Sequence, residues 1–201
     1  MPPRPSVRRR VTDTEIRQKL AAILAADAVG FSRLMGTDER ATIAELDANR
    51  ALIRLHTEAH GGRIVDMAGD SVLAVFASAA GAVRAAVAAQ AAVEERGAGV
   101  PDDRRMRYRI GVNLGDIIEK ADGSIYGDGV NVAARLQSLA EPGGILLSGK
   151  IHDEVQGRVD VVLAVAGEQL DGELNGVTVA AAADEPAYPY IAAASCAHIA
   201  P

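Results

Sequence analysis

The stretch that decides the fold is GGRIVDMAGDSVLAVF, residues 61–76. Its β-branched and apolar residues predict two short strands, 63–67 and 72–76, joined by a tight turn at 68–71. Gly69 gives this turn the backbone freedom it needs, and Asp70 follows at its tip. An acid at such a place ordinarily serves to form the turn, so the hairpin alone does not indicate a functional role for Asp70.

A second stretch, LAAILAADAVGFS at residues 20–32, changes this interpretation. It predicts an apolar strand that runs directly into Asp27 and then into a turn at Gly30. Mg²⁺ takes one or two protein carboxylates and completes its shell with water and substrate phosphates. Two acids at the ends of hydrophobic strands, Asp27 and Asp70, therefore predict a site for a pair of Mg²⁺ ions.

Composition narrows the class of protein. The 201 residues suffice for one α/β domain of ordinary size, and 49% of them are apolar. Aromatic residues make up only 3%, which argues against stacking platforms for single-stranded nucleic acid. The net charge of −6 comes entirely from the acids after residue 158, so the neutral body offers no footprint for duplex nucleic acid. We expect no nucleic-acid partner.

The two ends of the chain differ in composition from its body. Residues 1–17 are predicted to be a disordered basic lead, and residues 166–201 an irregular tail rich in Ala and acids. Residues 18–165 carry the regular pattern of a folded domain. Acids and prolines interrupt the apolar runs of the tail, so no membrane span is predicted. The single cysteine and the lack of an apolar run after the Arg-rich start predict a cytoplasmic location.

Spacing and glycines predict the elements between these stretches. Small and apolar residues at intervals of three and four predict a helix with Thr37 as its N-cap, which ends at residues 61–62. A second helix is predicted at 79–96 and a strand at 107–118. A bulge or turn is expected in that strand where Asp116 follows a glycine.

A third stretch, YGDGVNVAARL at residues 126–136, predicts a helix opened by glycines. Asn131 and Arg135 are four residues apart and therefore share one face of this helix. An Arg can stabilise the charge that builds up on a transferring phosphorus, and an Asn can orient a sugar hydroxyl toward it. Together with the two acids, this set suits phosphoryl transfer on a nucleotide.

Four segments now point to a known family. The chain resembles the class III adenylate/guanylate cyclase catalytic domain in AADAVGFS (25–32), AGDSVLAVF (68–76), RIGVNLGD (109–116) and YGDGVNVAARL (126–136), which occur in the family's order. The resemblance implies an α+β fold with a ferredoxin-like core, an antiparallel-dominated sheet and helices on one face. It also implies a head-to-tail homodimer with composite active sites.

The resemblance further implies a reaction and a role for each site residue. Asp27 and Asp70 would bind two Mg²⁺ ions, which Mn²⁺ can replace, with help from a backbone carbonyl near Ala28. Asn131 would orient the ribose, and Arg135 would stabilise the transition state. The 3′-hydroxyl of ATP or GTP would attack the α-phosphate and give the 3′,5′-cyclic nucleotide and pyrophosphate, for intracellular signalling.

The chain departs from the family's pattern at the positions that read the base. Where adenylate cyclases usually carry a Lys and an Asp, this chain has Asp66 and Ser124. A carboxylate accepts hydrogen bonds and a hydroxyl can donate one, which complements the two donors and the O6 acceptor of guanine. On this argument GTP is the predicted preference over ATP.

A Lys that the family tends to place in a late strand, to grip the triphosphate, is also missing. No Lys follows Lys150, and the stretch 167–174, where it would be sought, holds none. This leaves an alternative open, in which a catalytically weak cyclase-fold protein regulates or pairs with a partner. A diguanylate cyclase is a third interpretation, but the Gly-Gly-acid-Glu-Phe turn typical of that class is absent from the sequence.

Overall fold

The computed structural model describes residues 16–167 and 177–182. Within these ranges the chain forms one mixed sheet with helices on both sides. The strands are β1 (Arg17–Val29), β2 (Gly62–Asp66), β3 (Ser71–Phe76), β4 (Arg107–Glu119), β5 (Ile125–Tyr126), β6 (Ile145–Leu147), β7 (Val161–Gly167) and β8 (Val177–Ala182). The helices are α1 (Phe31–Thr37), α2 (Glu39–Ala59), α3 (Ala79–Gly97), α4 (Asp128–Leu139) and α5 (Gly149–Val155).

The sheet is organised around β1. The strand order is β2-β3-β1-β4-β6-β8-β7, and the short strand β5 pairs with β4 outside this order. β1 pairs antiparallel with β3 over residues 22–27 and with β4 along its whole length. Among the described strands, β4 and β6 form the one parallel pair. The predicted α+β fold with an antiparallel-dominated sheet is confirmed.

Alternation along β1 builds two apolar layers, because successive side chains of a strand point to opposite faces. The even-numbered residues 22–28 lie in the larger core, which α1, α2, α3 and α5 cover. The odd-numbered residues 21–25 pack on the other face with Ala133 of α4. Helices α1, α2, α3 and α5 thus share one face, whereas α4 lies on the opposite one, so the helices are not confined to one face as the family resemblance implied.

The hairpin that decides the fold forms at its predicted place, and each of its strands begins one residue earlier than predicted. The start of α2 differs from the prediction. Its N-cap is Asp38, whose side chain accepts from the N–H of Ala41 at 3.0 Å. Thr37 instead ends the unpredicted helix α1, where its hydroxyl donates to the carbonyl of Arg33 at 3.1 Å.

β4 is longer and more regular than predicted. Its register with β1 is unbroken from Arg107 to Glu119, so Asp116 lies opposite Leu20 within the strand and the expected bulge or turn is wrong. A Cβ built at Gly115 would lie 2.9 Å from the Cα of Gly129 in α4. The glycine therefore permits the close approach of a helix and does not mark a bend.

The C-terminal region contains one element that the sequence did not predict. Val177–Ala182 forms β8, which lies between β6 and β7. The predicted basic lead, up to residue 15, and residues 168–174, where the family resemblance implies a late Lys, lie outside the described residues. None of the described helices has the length and apolar character needed to cross a bilayer.

Candidate active site

Asp27 lies near the end of the central strand β1. Its backbone is fixed on both sides, by register with Ser71 of β3 and with Arg109 of β4. Its side chain is 23% exposed, and Oδ2 accepts from Arg109 Nη2 at 2.9 Å. Gln137 of α4 donates to the same oxygen from Nε2 at 3.5 Å. The sheet therefore presents a partly buried carboxylate in a fixed place.

Asp70 lies in the turn between β2 and β3. Gly69 before it has a φ of 58°, the left-handed conformation that favours glycine. The turn is closed by the N–H of Ser71, which donates to the carbonyl of Ala68 at 3.0 Å. The carbonyl of Asp70 accepts from the N–H of Ala28 at 3.3 Å. This bond joins the two stretches that the sequence singled out.

The two carboxylates lie close enough to act on each other. Burial raises the pKa of Asp27 above its ordinary value, the hydrogen bond from Arg109 lowers it, and the negative charge of Asp70 raises it. Two like charges held near each other each disfavour the other's ionised form. A proton or a cation at this place relieves that repulsion, so the site favours bound positive charge.

The donor atoms of this place fit a hard divalent cation. The carboxylates of Asp27 and Asp70 and the main-chain oxygens near Ala28 are all oxygen donors, which Mg²⁺ and Mn²⁺ prefer. Over residues 16–167 and 177–182, no group of three or more His, Cys, Asp and Glu could hold a metal ion. One chain thus supplies two acids, and the remaining coordination positions suit water and phosphate oxygens.

Asn131 and Arg135 lie on α4, on the side of the helix that faces away from the sheet. Ala133 and Leu136 on the inner side are fully buried, whereas Asn131 is exposed and Arg135 is half-buried. The two predicted residues therefore share one face, as their spacing indicated. That face is turned outward from the sheet on which Asp27 lies.

A glycine of β4 sets how closely α4 approaches the sheet. A Cβ built at Gly111 would lie 2.3 Å from the carbonyl oxygen of Ala133 and 2.3 Å from the amide nitrogen of Gln137. No side chain fits such a gap, because protein interiors are already close-packed. The helix therefore lies directly on the sheet backbone, which fixes the position of its outer face.

Asp66 lies at the end of β2, where its side chain is exposed. Its Oδ1 accepts from the N–H of Met67 at 2.8 Å. Arg63 of the same strand reaches the β4–β5 hairpin, since it donates to the carbonyl of Gly123 at 3.2 Å and to Glu119 Oε1 at 2.6 Å. The strand of Asp66 is thereby tied to the turn that carries the second predicted base-reading residue.

That second residue, Ser124, is held by Asp122. The hydroxyl of Ser124 donates to Asp122 Oδ1 at 2.6 Å, and the N–H of Ser124 donates to the same oxygen at 2.9 Å. These hydrogen bonds lower the pKa of Asp122 below its ordinary value. Because its proton is directed to Asp122, the hydroxyl oxygen acts as an acceptor, and the side chain of Tyr126 also forms a hydrogen bond with this hydroxyl. This differs from the expectation that Ser124 donates to the base.

Sequence reasoning missed the side chains that surround the two acids. Arg109 joins Asp27 to α4, because its Nη1 also donates to the carbonyl of Ser138 at 3.2 Å. Arg50 of α2 donates to carbonyls of the turn that precedes Asp70. Arg109 belongs to a segment that the sequence singled out, and only the register between β1 and β4 reveals its partner. Nothing in the pattern of α2 marks Arg50.

The comparison with protein families decides the assignment. The model of the adenylate and guanylate cyclase catalytic domain matches residues 15–173, which is most of the chain. The chain belongs to this cyclase family. The resemblance of the four sequence segments is thereby confirmed.

Two curated relatives are similar to this cyclase domain. A protein of Rhizobium meliloti (strain 1021), named "Putative adenylate cyclase 3", is 47% identical over 153 residues, which cover 76% of this chain and 26% of the relative. An adenylate cyclase of Streptomyces coelicolor is 29% identical over 144 residues, which cover 71% of this chain and 36% of the relative. The cyclase domain thus spans well under half the length of these relatives.

Solved structures show the same fold. An adenylate/guanylate cyclase/hydrolase from Silicibacter pomeroyi is similar with a TM-score of 0.73 and 39% identity, over 83% of this chain and 97% of that one. An adenylyl cyclase from P. aeruginosa is similar with a TM-score of 0.72 and 21% identity, over 83% of this chain and 95% of that one. The second likeness shows the cyclase fold alone.

Proposed function

We propose that this domain is a purine nucleotide cyclase, which converts ATP or GTP to the 3′,5′-cyclic nucleotide and pyrophosphate for signalling in the cytoplasm. The observation that carries the proposal is the meeting of Asp27 and Asp70 at one end of the sheet, joined by the Ala28–Asp70 hydrogen bond. In the reaction, a bond forms between the 3′-oxygen and the α-phosphorus while the bond to pyrophosphate breaks. The proton of the 3′-hydroxyl passes to solvent.

Two Mg²⁺ or Mn²⁺ ions would be held by Asp27 and Asp70, with a backbone carbonyl near Ala28 as a further ligand. Such ions, when bound, lower the pKa of the attacking hydroxyl and neutralise phosphate charge. The chain itself contributes placement and charge. Arg109 counteracts the effect of burial on the pKa of Asp27, and its guanidinium gives the site a positive group beside the acids.

Asn131 and Arg135 act on the reacting groups. The amide of Asn131 orients the ribose so that its 3′-hydroxyl is in line with the α-phosphorus, which is catalysis by positioning. The guanidinium of Arg135 donates into the charge that develops on the transferring phosphorus. Their common outward face on α4 supports both roles, because a ligand can reach it without moving the helix.

The outward direction of this face also supports a composite site. Asp27 lies on the sheet beneath α4, where the residue of the helix that contacts it is Gln137. A head-to-tail homodimer brings the outer face of one α4 to the acids of the other chain. In a two-fold dimer the same contact occurs twice and gives two equal sites.

The test combines a product assay with complementation. Wild type incubated with ATP or GTP and Mn²⁺ should release cyclic nucleotide, while Asp70→Ala and Arg135→Ala should each be inactive. An equal mixture of these variants should recover about a quarter of wild-type activity, since half of the dimers are mixed and each holds one intact site. Mixed dimers that form, as seen by native mass spectrometry, but remain inactive would contradict the composite site.

The base preference is a further proposal, which rests on Asp66 and Ser124. Because Ser124 donates to Asp122, both residues present acceptors. Guanine offers two adjacent donors, whereas adenine places an N1 lone pair where a carboxylate repels it. A polar group that the bound base covers and leaves unpaired costs about 1–3 kcal/mol, so we expect GTP to be favoured over ATP by about tenfold.

The R. meliloti relative carries the name of an adenylate cyclase, which makes ATP the competing substrate. The measurement is kcat/KM for GTP and for ATP in wild type and Asp66→Lys, with the exposed Asp47→Lys of α2 as the charge-matched control. The ratio should move toward ATP in Asp66→Lys and stay constant in the control. An unchanged ratio in Asp66→Lys would show that this residue does not read the base.

The alternative is a catalytically weak cyclase domain that pairs with a partner, and the absence of a Lys after Lys150 favours it. Wild type that binds Mn²⁺ and nucleotide but forms no cyclic product would support this alternative. For either function we propose a domain that is longer than the 18–165 expected from the sequence, because β1 begins at Arg17 and β8 (Val177–Ala182) lies within the sheet.

A further inference from the structure

Arg50 connects α2 to the turn that carries Asp70. Its Nη2 donates to the carbonyl of Met67 at 2.9 Å and also to the carbonyl of Gly69. These two carbonyls lie on either side of Ala68, directly before the acid. A single guanidinium therefore holds the turn from the helix side, across 17 and 19 residues of sequence.

The turn needs such a contact because the hairpin supports it weakly. Among the described strands, β2 lies at the edge of the sheet and pairs with β3 alone. The register between β2 and β3 shifts between Ile64 and Asp66, immediately before the turn. An edge strand with an irregular ladder leaves main-chain carbonyls without strand partners. Arg50 supplies donors for two carbonyls of the turn that follows this strand, those of Met67 and Gly69.

The chemistry of Arg50 suits this task better than that of another cation would. Its planar guanidinium presents several donors in a rigid fork, so one side chain can bind two carbonyls in a defined geometry. The side chain is half-buried, which fixes its course along α2. The hydroxyl of Tyr108 lies nearby; burial raises its pKa above the ordinary value, and the charges of Arg50, Asp70 and Asp27 act on this pKa as well. The guanidinium thus lies in the same region as both acids.

We propose that Arg50 is a positioning residue of the metal site, which places the carboxylate of Asp70 by holding the main chain at Met67 and Gly69. It acts through the turn, and its own donors go to protein carbonyls. This inference rests on the proposed function, because the positioned carboxylate is the one assigned to the metal ions. It adds a residue from α2, a helix that contributes no other group to the proposed site.

The test measures metal binding and turn mobility without nucleotide. Mn²⁺ affinity is determined by electron paramagnetic resonance for wild type, Arg50→Met and Arg50→Lys. Losing a group that orients a ligand typically weakens metal binding by about 10–100-fold, so we expect a loss in this range for Arg50→Met. Arg50→Lys should recover part of it, because an ammonium can reach one carbonyl. Arg96→Met is the control, since it removes a different contact of α2, the ion pair with Glu45 at 3.2 Å.

Hydrogen exchange gives the second readout. The N–H groups of Ser71 and Ala28, which donate to Ala68 and Asp70, should exchange faster in Arg50→Met and not in Arg96→Met. A lower thermal stability of Arg50→Met with unchanged Mn²⁺ affinity and unchanged exchange at these amides would overturn the proposal. Neither readout requires turnover, so a wild type without cyclase activity would contradict the proposed function and leave this inference to be decided separately.

Discussion

The two acids of the site are held in different ways. Asp27 belongs to the central strand, has ladder partners on both sides, and its carboxylate is paired directly with Arg109. Asp70 belongs to a turn at the edge of the sheet, and its arginine, Arg50, contacts the main chain before it. One arginine therefore acts on the charge of an acid and the other on the position of an acid.

This difference follows from where each acid lies in the fold. A residue in the middle of a sheet receives its position from the ladder, so a neighbouring side chain is free to adjust its electrostatics. A residue in an edge turn receives little from the ladder and needs a contact to its backbone. Two acids with the same proposed role therefore depend on their arginines for different reasons, one for its charge and the other for its position, and variants can separate these two effects.

The largest effect is expected from the acids themselves. Asp27→Asn and Asp70→Asn should each lower turnover by at least about 100-fold, because each removes a charged ligand for the ions that stabilise the reacting phosphate. Both losses should be similar in size despite the different supports. The measurement is the rate of cyclic product formation with saturating Mn²⁺, with circular dichroism to show that the fold persists.

Asp47→Asn, at an exposed position of α2, is the matched control and should retain wild-type turnover. If one of the two acid variants kept near-normal activity, that acid would not be a metal ligand. The site would then depend on a single essential acid with one supporting arginine.

Much of the fold could be predicted from local pattern. The hairpin of 61–76 and the helices α2 and α3 follow from alternation, periodicity and glycine, which act over a few residues. The four family segments also predicted the antiparallel sheet. The residue type of Thr37 predicts an N-cap, but Thr37 ends α1, and this neighbouring helix cannot be predicted from the cap position alone.

The site could be predicted as residues but not as contacts. The positions of Asp27, Asp70, Asn131 and Arg135 follow from their segments, whereas Arg109 and Gln137 meet Asp27 only through strand register and the packing of α4. The role of Gly111 could not be predicted either, because it depends on the packing of α4 against this residue. Contacts between residues distant in sequence depend on tertiary geometry, which spacing does not encode.

A smaller effect, on the pH dependence of Mn²⁺ binding, distinguishes the role of Arg109 from that of Arg50. Burial raises the pKa of Asp27, and the hydrogen bond from Arg109 lowers it, so Arg109→Met should raise this pKa further. Mn²⁺ binding needs the ionised carboxylate. As the pH is lowered, Arg109→Met should therefore lose Mn²⁺ at a higher pH than wild type does. Arg50→Met should bind Mn²⁺ more weakly at every pH, but the pH at which binding is lost should not change. This variant alters the position of Asp70 and not the charge of Asp27.

Thermal stability independently tests the direction of this pH dependence. The ion pair of Arg109 with Asp27 at 2.9 Å stabilises the fold only while the carboxylate is ionised. Arg109→Met should thus lower the melting temperature most at neutral pH, and the difference from wild type should shrink as the pH falls through the raised pKa of Asp27. Arg50→Met should show a pH-independent difference over the same range. Parallel pH profiles for the two variants, in both Mn²⁺ titration and melting, would contradict the division between charge and position.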